Sequence, residues 1–255
     1  MALTDSEPAR PWLMLAWRRL RARVAASLGD SDLMQVQRLA GTVFLIRVAS
    51  ALVAYGSQVL FARWMGGFEF GIYVYVWTWV LLIGQALDLG LATAAQRFIP
   101  EYREHKRFDH LRGYLFGSRL VAVGVAMLVA AFCAGLVRLL QPWLDDYTVI
   151  PLYLACAALP AYALSNVQDG ISRSYDWVAL GIVPTYIVRQ LLLTAFMATA
   201  YLTGLPLDAV TAMVLAGLAL WLPPLGQLVI LRRRLSAHIE AGPMPLLILL
   251  AERHY

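Results

Sequence analysis

Residues 113–140 read GYLFGSRLVAVGVAMLVAAFCAGLVRLL, an apolar stretch longer than the roughly 20 residues that a helix needs to cross the hydrocarbon core of a bilayer. The sequence contains five further stretches of this kind. The six predicted spans are 42–61, 71–95, 113–140, 149–168, 177–203 and 210–231. Inside hydrocarbon every backbone N–H and C=O group must be paired within its own segment, which favours helices. The sequence therefore predicts an all-α fold, a polytopic membrane bundle of six transmembrane helices.

The composition supports a membrane protein and argues against a nucleic-acid partner. Hydrophobic residues make up 60% of the 255 residues and charged residues 15%, and the mean hydropathy is +0.65. A water-soluble domain of this composition would lack polar surface. The net charge of +5 would indicate nucleic-acid binding only if a folded soluble domain carried it on one face. The charges have a different distribution here.

Successive connections of the predicted bundle alternate between many basic residues and almost none, so the basic residues collect on one side. One side carries 15 of them, namely Arg10, Arg18, Arg19, Arg21, Arg23, Arg38, Arg97, Arg103, Lys106, Arg107, Arg112, Arg173, Arg232, Arg233 and Arg234. The connections on the other side carry only Arg63. Because cytoplasmic loops carry the excess of cations, the pattern predicts a multi-pass protein of the cytoplasmic (inner) membrane with both termini in the cytoplasm.

Three regions follow from this arrangement. Residues 1–41 are predicted to form a cytoplasmic interfacial amphipathic segment, whose arginines attract anionic membrane lipids while residues such as Trp12 and Leu15 face the headgroups. Residues 42–235 form the six-helix bundle, and residues 236–255 a short cytoplasmic tail. The apolar run Pro11–Trp17 is too short for a signal peptide and precedes its arginines instead of following them.

The sequence shows no pattern typical of an enzyme. Cys133 and Cys156 lie within predicted spans, and the histidines lie in hydrophilic segments, at His105, His110, His238 and His254. No zinc-protease, nucleophile-elbow or phosphate-loop motif is present. We therefore expect no catalytic site, metal or cofactor.

A few polar residues at membrane depth are the candidates for function, because ionisable groups there usually face a protein interior or water. In the first span Arg47 and Gln58 share a stripe of small and polar residues. Arg47 could bind an anionic head group, or it could reach the interface or tie two helices together. In the second span Asp88, three residues after Gln85, could form a structural ion pair or act as a proton- or ion-coupling site.

The fifth span gives the strongest indication of a lined cavity. It places Arg189 and Gln190 after Pro184, a residue that distorts helices, and we take Arg189 as the first choice for substrate contact. Arg119 is close enough to a span end to reach the interface. Tyrosines and tryptophans near span ends, Tyr73 among them, are typical of an interfacial aromatic belt.

Several short motifs carry a resemblance to a known family. They are Arg47, FARWMG at 61–66, FEFGIY at 68–73, DLGL at 88–91 and AQRFIPEY at 95–102. Over about residues 40–115 the chain resembles the amino-terminal half of polysaccharide-biosynthesis flippases, including lipopolysaccharide O-antigen flippases, of the multidrug/oligosaccharidyl-lipid/polysaccharide (MOP) superfamily.

The resemblance implies a flippase in cell-surface polysaccharide biosynthesis. In that family two six-helix bundles face each other around a cavity, a lipid-linked saccharide crosses the cytoplasmic membrane, and cationic residues meet its diphosphate. By analogy Arg47 and Arg189 would contact the substrate. Family members have twelve or fourteen helices, so this chain looks like one half, and a truncated gene product, a split transporter with a second six-helix chain and a homodimer are all open.

Two other functions remain open at this point. One is a cation-coupled multidrug efflux protein, in which Asp88 and not the arginines would bind an organic cation. The other is a non-transporting scaffold or truncated remnant.

Overall fold

The computed structural model describes residues 30–238. The interfacial segment predicted for residues 1–41 lies outside the described residues as far as residue 29, and the predicted tail lies outside them from residue 239. The chain divides into two compact units, residues 1–47 and 48–255. The described part of the first unit is helical, and the second unit holds everything that follows.

The described residues are helical throughout except for short connections, and they contain no strand. The helices are α1 Asp30–Met65, α2 Gly67–Ala86, α3 Leu91–Glu104, α4 Phe108–Leu140, α5 Asp146–Ser174, α6 Val178–Val183, α7 Arg189–Leu202 and α8 Ala209–His238. A 3₁₀ turn, Gln141–Trp143, follows α4, and a π-helical turn, Pro184–Val188, joins α6 to α7.

Six segments in the described residues are long and apolar enough to cross a membrane, which confirms the predicted all-α class and the number of spans. They are Val43–Met65, Gly67–Glu104, Phe108–Trp143, Asp146–Ser174, Ala179–Leu202 and Ala209–Leu235. The protein is therefore a polytopic membrane protein.

Helix α5 lies at the centre of the second unit, where it packs against α2, α3, α4 and α8. In its most apolar 18-residue stretch 67% of residues are buried, against 11–39% in the other spans. Small residues allow this packing. A Cβ atom at Gly170 would lie 2.6 Å from the Cα of Ala92 on α3, so only glycine lets these two backbones approach.

The second predicted span, 71–95, is not one continuous helix. It breaks between α2 and α3, where Leu89 and Gly90 adopt left-handed conformations with φ of 47° and 71°. Two backbone hydrogen bonds between residues three apart form the turn at this break. The Asp88 N–H donates to the Gln85 C=O at 3.3 Å, and the Leu91 N–H donates to the Asp88 C=O at 2.9 Å. Gly90 tolerates this backbone because it has no Cβ atom, and the break places Asp88 between two helices.

Prolines affect the helices unequally. Pro184 has no N–H group and its ring crowds the carbonyl four residues earlier, and here the helix widens into the π-helical turn. By contrast, α5 runs without interruption through Pro160, and α8 through Pro223 and Pro224.

Polar contacts secure α8 to its neighbours. Glu69 on α2 accepts a hydrogen bond from the N–H of Ala209 at 2.7 Å, and Asp208 accepts one from Thr211 at 2.8 Å, so both carboxylates cap the start of α8. Further along the helix, the fully buried Gln168 of α5 donates to the C=O of Pro224 at 3.1 Å.

Candidate functional site

Arg189 lies at the start of α7, directly after the π-helical turn, and its guanidinium faces aromatic rings. Its Cζ atom is 5.8 Å from the centre of the Trp77 ring on α2. It also interacts electrostatically with the phenol groups of Tyr73, Tyr162 and Tyr186. A guanidinium over an aromatic face is attracted by the ring quadrupole, more strongly where water is excluded. The rings therefore hold this cation at membrane depth.

The aromatic side of the site comes largely from α2. Tyr73 and Trp77 are one helical turn apart and stack with their ring centres 6.2 Å apart and their planes inclined by 19°. Tyr73 is 2% exposed, so it belongs to the protein interior and not to the interfacial belt predicted for it. Only the spacing of four residues between Tyr73 and Trp77 could have indicated a shared helix face.

Tyr162 of α5 connects the two charged residues of the site. The charges of Arg189 and Asp88 are both close enough to Tyr162 to influence the ionisation of its phenol. Its ring packs directly on Gly84, where a Cβ atom would lie 2.6 Å from Cδ1 of the tyrosine. Glycine at this position therefore sets where the Tyr162 ring lies.

Asp88 is half-buried at the break between α2 and α3. Its Oδ1 atom is buried and has no hydrogen-bond partner within residues 30–238. Two ion pairs are seen in that region, Arg112 with Asp109 and Arg173 with Asp169, and neither includes Asp88 or Arg189. Arg189 and Asp88 both belong to the second unit, and in the described residues neither forms an ion pair with the other.

The predicted glutamines differ in their surroundings. Gln190 is buried, and in the described part of the chain its Nε2 group lacks an acceptor. Gln58 is half-buried, and Gln85 is exposed. Next to Gln58, the Ser57 hydroxyl is 2.7 Å from that of Thr194, a hydrogen bond that joins α1 to α7.

Two further arginines lie within the predicted spans. Arg47 lies on the part of α1 that belongs to the first unit, and it is exposed. Arg119 on α4 is half-buried. Its Nε and Nη2 atoms are inaccessible and have no hydrogen-bond acceptor among the described residues. The protein encloses these two nitrogen atoms, so Arg119 does not extend to the membrane interface as predicted.

The arrangement around Arg189 suits recognition of an anion. Stacking occupies the faces of a guanidinium, while its N–H donors lie in the plane and match the oxygen atoms of a phosphate. Gln190 adds a buried amide donor beside it. No group of three or more potential metal ligands is present among residues 30–238.

Comparison with known proteins identifies one relationship. The model of a family described as "Polysaccharide biosynthesis protein" matches residues 38–240. No curated protein and no solved structure gives a significant match.

Proposed function

The chain belongs to the polysaccharide biosynthesis protein family, and from that premise we propose that it is a flippase, or half of one, for a lipid-linked saccharide precursor in the cytoplasmic membrane. The substrate would be an oligosaccharide or polysaccharide precursor carried on a lipid diphosphate. The family match, which covers most of the chain, and the six apolar helices support transport as the general role.

The observation that carries the proposal is Arg189 with its aromatic neighbours. An arginine at membrane depth destabilises an isolated helix by at least about 2.5–3.5 kcal/mol, so its retention calls for a compensating interaction. In the described residues Arg189 has the Trp77 ring beside it and no ion pair, which leaves its charge available to an anionic ligand. We propose that Arg189, with Gln190, contacts the diphosphate during transfer. Arg47 and Gln58 stay candidates for the same substrate.

Transport in proteoliposomes tests this role directly. The full chain is reconstituted with a fluorescent lipid-linked saccharide, and its arrival in the opposite leaflet is measured by a membrane-impermeant quencher. We expect Arg189→Gln to slow transfer at least about tenfold, corresponding to the loss of about 1.4 kcal/mol of substrate stabilisation. Arg138→Gln is the control. It removes the charge of an exposed arginine near the carboxyl end of α4, and this variant should transfer the lipid at the normal rate. Equal rates for the two variants would remove Arg189 from the mechanism.

A second candidate function, efflux of organic cations, is favoured by one observation. Among the described residues Asp88 has a buried oxygen without a hydrogen-bond partner, and a carboxylate at membrane depth is a suitable site for an organic cation. The positive charge of Arg189, in the same unit, disfavours the binding of an organic cation. Asp88→Asn should then abolish drug efflux while Arg189→Gln leaves it intact, whereas a saccharide flippase requires Arg189.

We also propose that both termini face the cytoplasm and that a second six-helix bundle, from another chain or a second copy of this one, completes the transport pathway. The charge pattern of the connections supports the orientation. Crosslinking in membranes followed by mass measurement tests the second proposal, and a chain that transports as a monomer would contradict it.

A further inference from the structure

Four side chains form a continuous stack where three parts of the second unit meet. Arg103, in the last turn of α3, places its Cζ atom 4.9 Å from the ring centre of Tyr175. Tyr175 stacks on Trp177 with ring centres 5.0 Å apart and planes inclined by 22°. Arg234 of α8 places its Cζ atom 5.2 Å from the Trp177 ring. We call these four residues the Arg–Tyr–Trp–Arg stack.

The stack lies at the level where helices leave the membrane. Arg103 is one residue before the end of the span that finishes at Glu104, and Arg234 belongs to the basic run Arg232–Arg234, which follows the apolar part of α8. Tyr175 and Trp177 lie between the span that ends at Ser174 and the span that begins at Ala179. All four residues are therefore expected at headgroup depth, where tyrosine and tryptophan are favoured.

The two arginines are exposed although their guanidiniums are positioned on rings. Freely moving surface arginines lose side-chain entropy when they bind a ligand, and a stacked guanidinium has already lost part of it. Its in-plane N–H groups can then receive a phosphate with little further ordering. The stack thus presents two pre-positioned cations to the lipid headgroups.

Most charged neighbours of the stack are cations, although the exposed Asp176 lies between Tyr175 and Trp177 and the exposed Glu104 follows Arg103. Arg232 and Arg233, both exposed, precede Arg234 on α8, and Lys106 follows α3 closely. Tyr175 is buried and its hydroxyl has no partner within the described residues. Burial raises the pKa of Tyr175, an effect that the charge of Arg103 opposes, so the phenol adds no negative charge at neutral pH.

We propose that the Arg–Tyr–Trp–Arg stack binds the phosphate of an anionic phospholipid headgroup, and that the bound lipid holds α3, the turn between α5 and α6, and α8 together. The lipid is a structural ligand here and not the transported substrate. The stack shares no residue with the cluster around Arg189, so this proposal does not depend on the proposed function.

The test measures binding and thermal stability in the absence of transport. The full chain is purified in a neutral detergent and titrated with phosphatidylglycerol or, for comparison, phosphatidylcholine. We expect phosphatidylglycerol to raise the midpoint of thermal unfolding and phosphatidylcholine to leave it unchanged. Arg103→Gln and Arg234→Gln should each weaken phosphatidylglycerol binding about tenfold, the change that corresponds to the loss of about 1.5 kcal/mol for a hydrogen bond to a charged group.

Matched variants separate a built site from general charge attraction. Arg232→Gln removes the same charge two residues from Arg234, and because Arg232 has no ring contact among the described residues, this change should alter binding less than twofold. Arg103→Lys keeps the charge but loses the planar group and should bind like Arg103→Gln. The proposal is overturned if Arg232→Gln weakens binding as much as Arg234→Gln, if Arg103→Lys binds normally, or if the two lipids stabilise equally. Inorganic phosphate at the same concentration should give no stabilisation, because the lipid's chains contribute to its affinity, and an equal effect would contradict the headgroup assignment.

Discussion

Single residues decide where the aromatic rings of the Arg189 site lie, and Gly84 is the clearest case. A methyl group at this position would lie within 3 Å of three atoms of the Tyr162 ring. A rigid ring held by its own helix cannot yield as the end of a flexible side chain would. Gly84→Ala should therefore lower stability by about 1–3 kcal/mol, the usual effect of overpacking.

Gly71 is the matched control, since it lies on the same helix and a Cβ atom there meets nothing within 4 Å. Gly71→Ala should be neutral or slightly stabilising, because alanine favours helix. Thermal unfolding in detergent measures both variants. If they unfold at the same temperature, the close approach of Tyr162 to Gly84 is not part of the folded protein.

Residue patterns predicted the charged members of the site better than its aromatic members. A polar or ionisable residue in an apolar run is conspicuous in a sequence, and Arg189, Gln190 and Asp88 could be named on that basis. Tyr73 and Tyr162 are not conspicuous, because tyrosine is common both at interfaces and in packed interiors. Which of the two applies depends on how α5 packs against α2, and that is a long-range contact.

At the scale of elements, the break between α2 and α3 depends on one left-handed glycine. Gly90 has φ of 71°, and a Cβ atom there would strain the backbone by about 1–2 kcal/mol although it meets no other atom. Gly90→Ala should lower the unfolding temperature, while Gly67→Ala, at an unstrained position with no close neighbour, should not. A stable Gly90→Ala protein would mean that α2 and α3 can form one continuous helix.

The π-helical turn before Arg189 is an element whose form sets a side-chain direction. Restoring the N–H group with Pro184→Ala should let α6 and α7 join as a regular α-helix, and losing the extra residue of the turn would rotate Arg189 away from Trp77. We expect equal or higher thermal stability together with slower transport. Pro160→Ala, in the continuous helix α5, is the control and should not share this combination. Normal transport by Pro184→Ala would separate the turn from function.

The elements themselves were predicted to different degrees. Long apolar runs predicted the number of spans, because length and hydrophobicity decide whether a segment can cross a bilayer. The break at Leu89 and Gly90 was not predicted, since an isolated glycine within an apolar run is also common in continuous membrane helices. A proline in a membrane span does not by itself predict a break in the helix, because neighbouring groups can form hydrogen bonds with the carbonyl groups that it leaves unpaired. Pro184 widens its helix, whereas Pro223 and Pro224 do not interrupt theirs.

At the scale of the whole molecule, the centre of the second unit is polar as well as apolar. Gln227 of α8 is 2% exposed and donates to the Leu180 C=O at 2.9 Å and to the Ser172 hydroxyl at 3.2 Å. One side chain thus connects α8, α5 and α6. Hydrogen bonds between membrane helices contribute on average about 0.6 kcal/mol, so Gln227→Leu should lower stability by about that amount for each bond lost. A Gln227→Leu protein as stable as the original would show that these helices associate by packing alone.

The orientation of the whole chain in the membrane sets the direction of transport. The 15 basic residues assigned to one side predict that Lys106, between α3 and α4, is cytoplasmic and that Gly204, between α7 and α8, is on the opposite side. The chain has two cysteines, so single-cysteine variants at these positions are made in a Cys133→Ala, Cys156→Ala background. In intact cells a membrane-impermeant maleimide should label Lys106→Cys only after permeabilisation and Gly204→Cys without it. The reverse result would place the Arg–Tyr–Trp–Arg stack in the outer leaflet and would require the opposite direction of transfer.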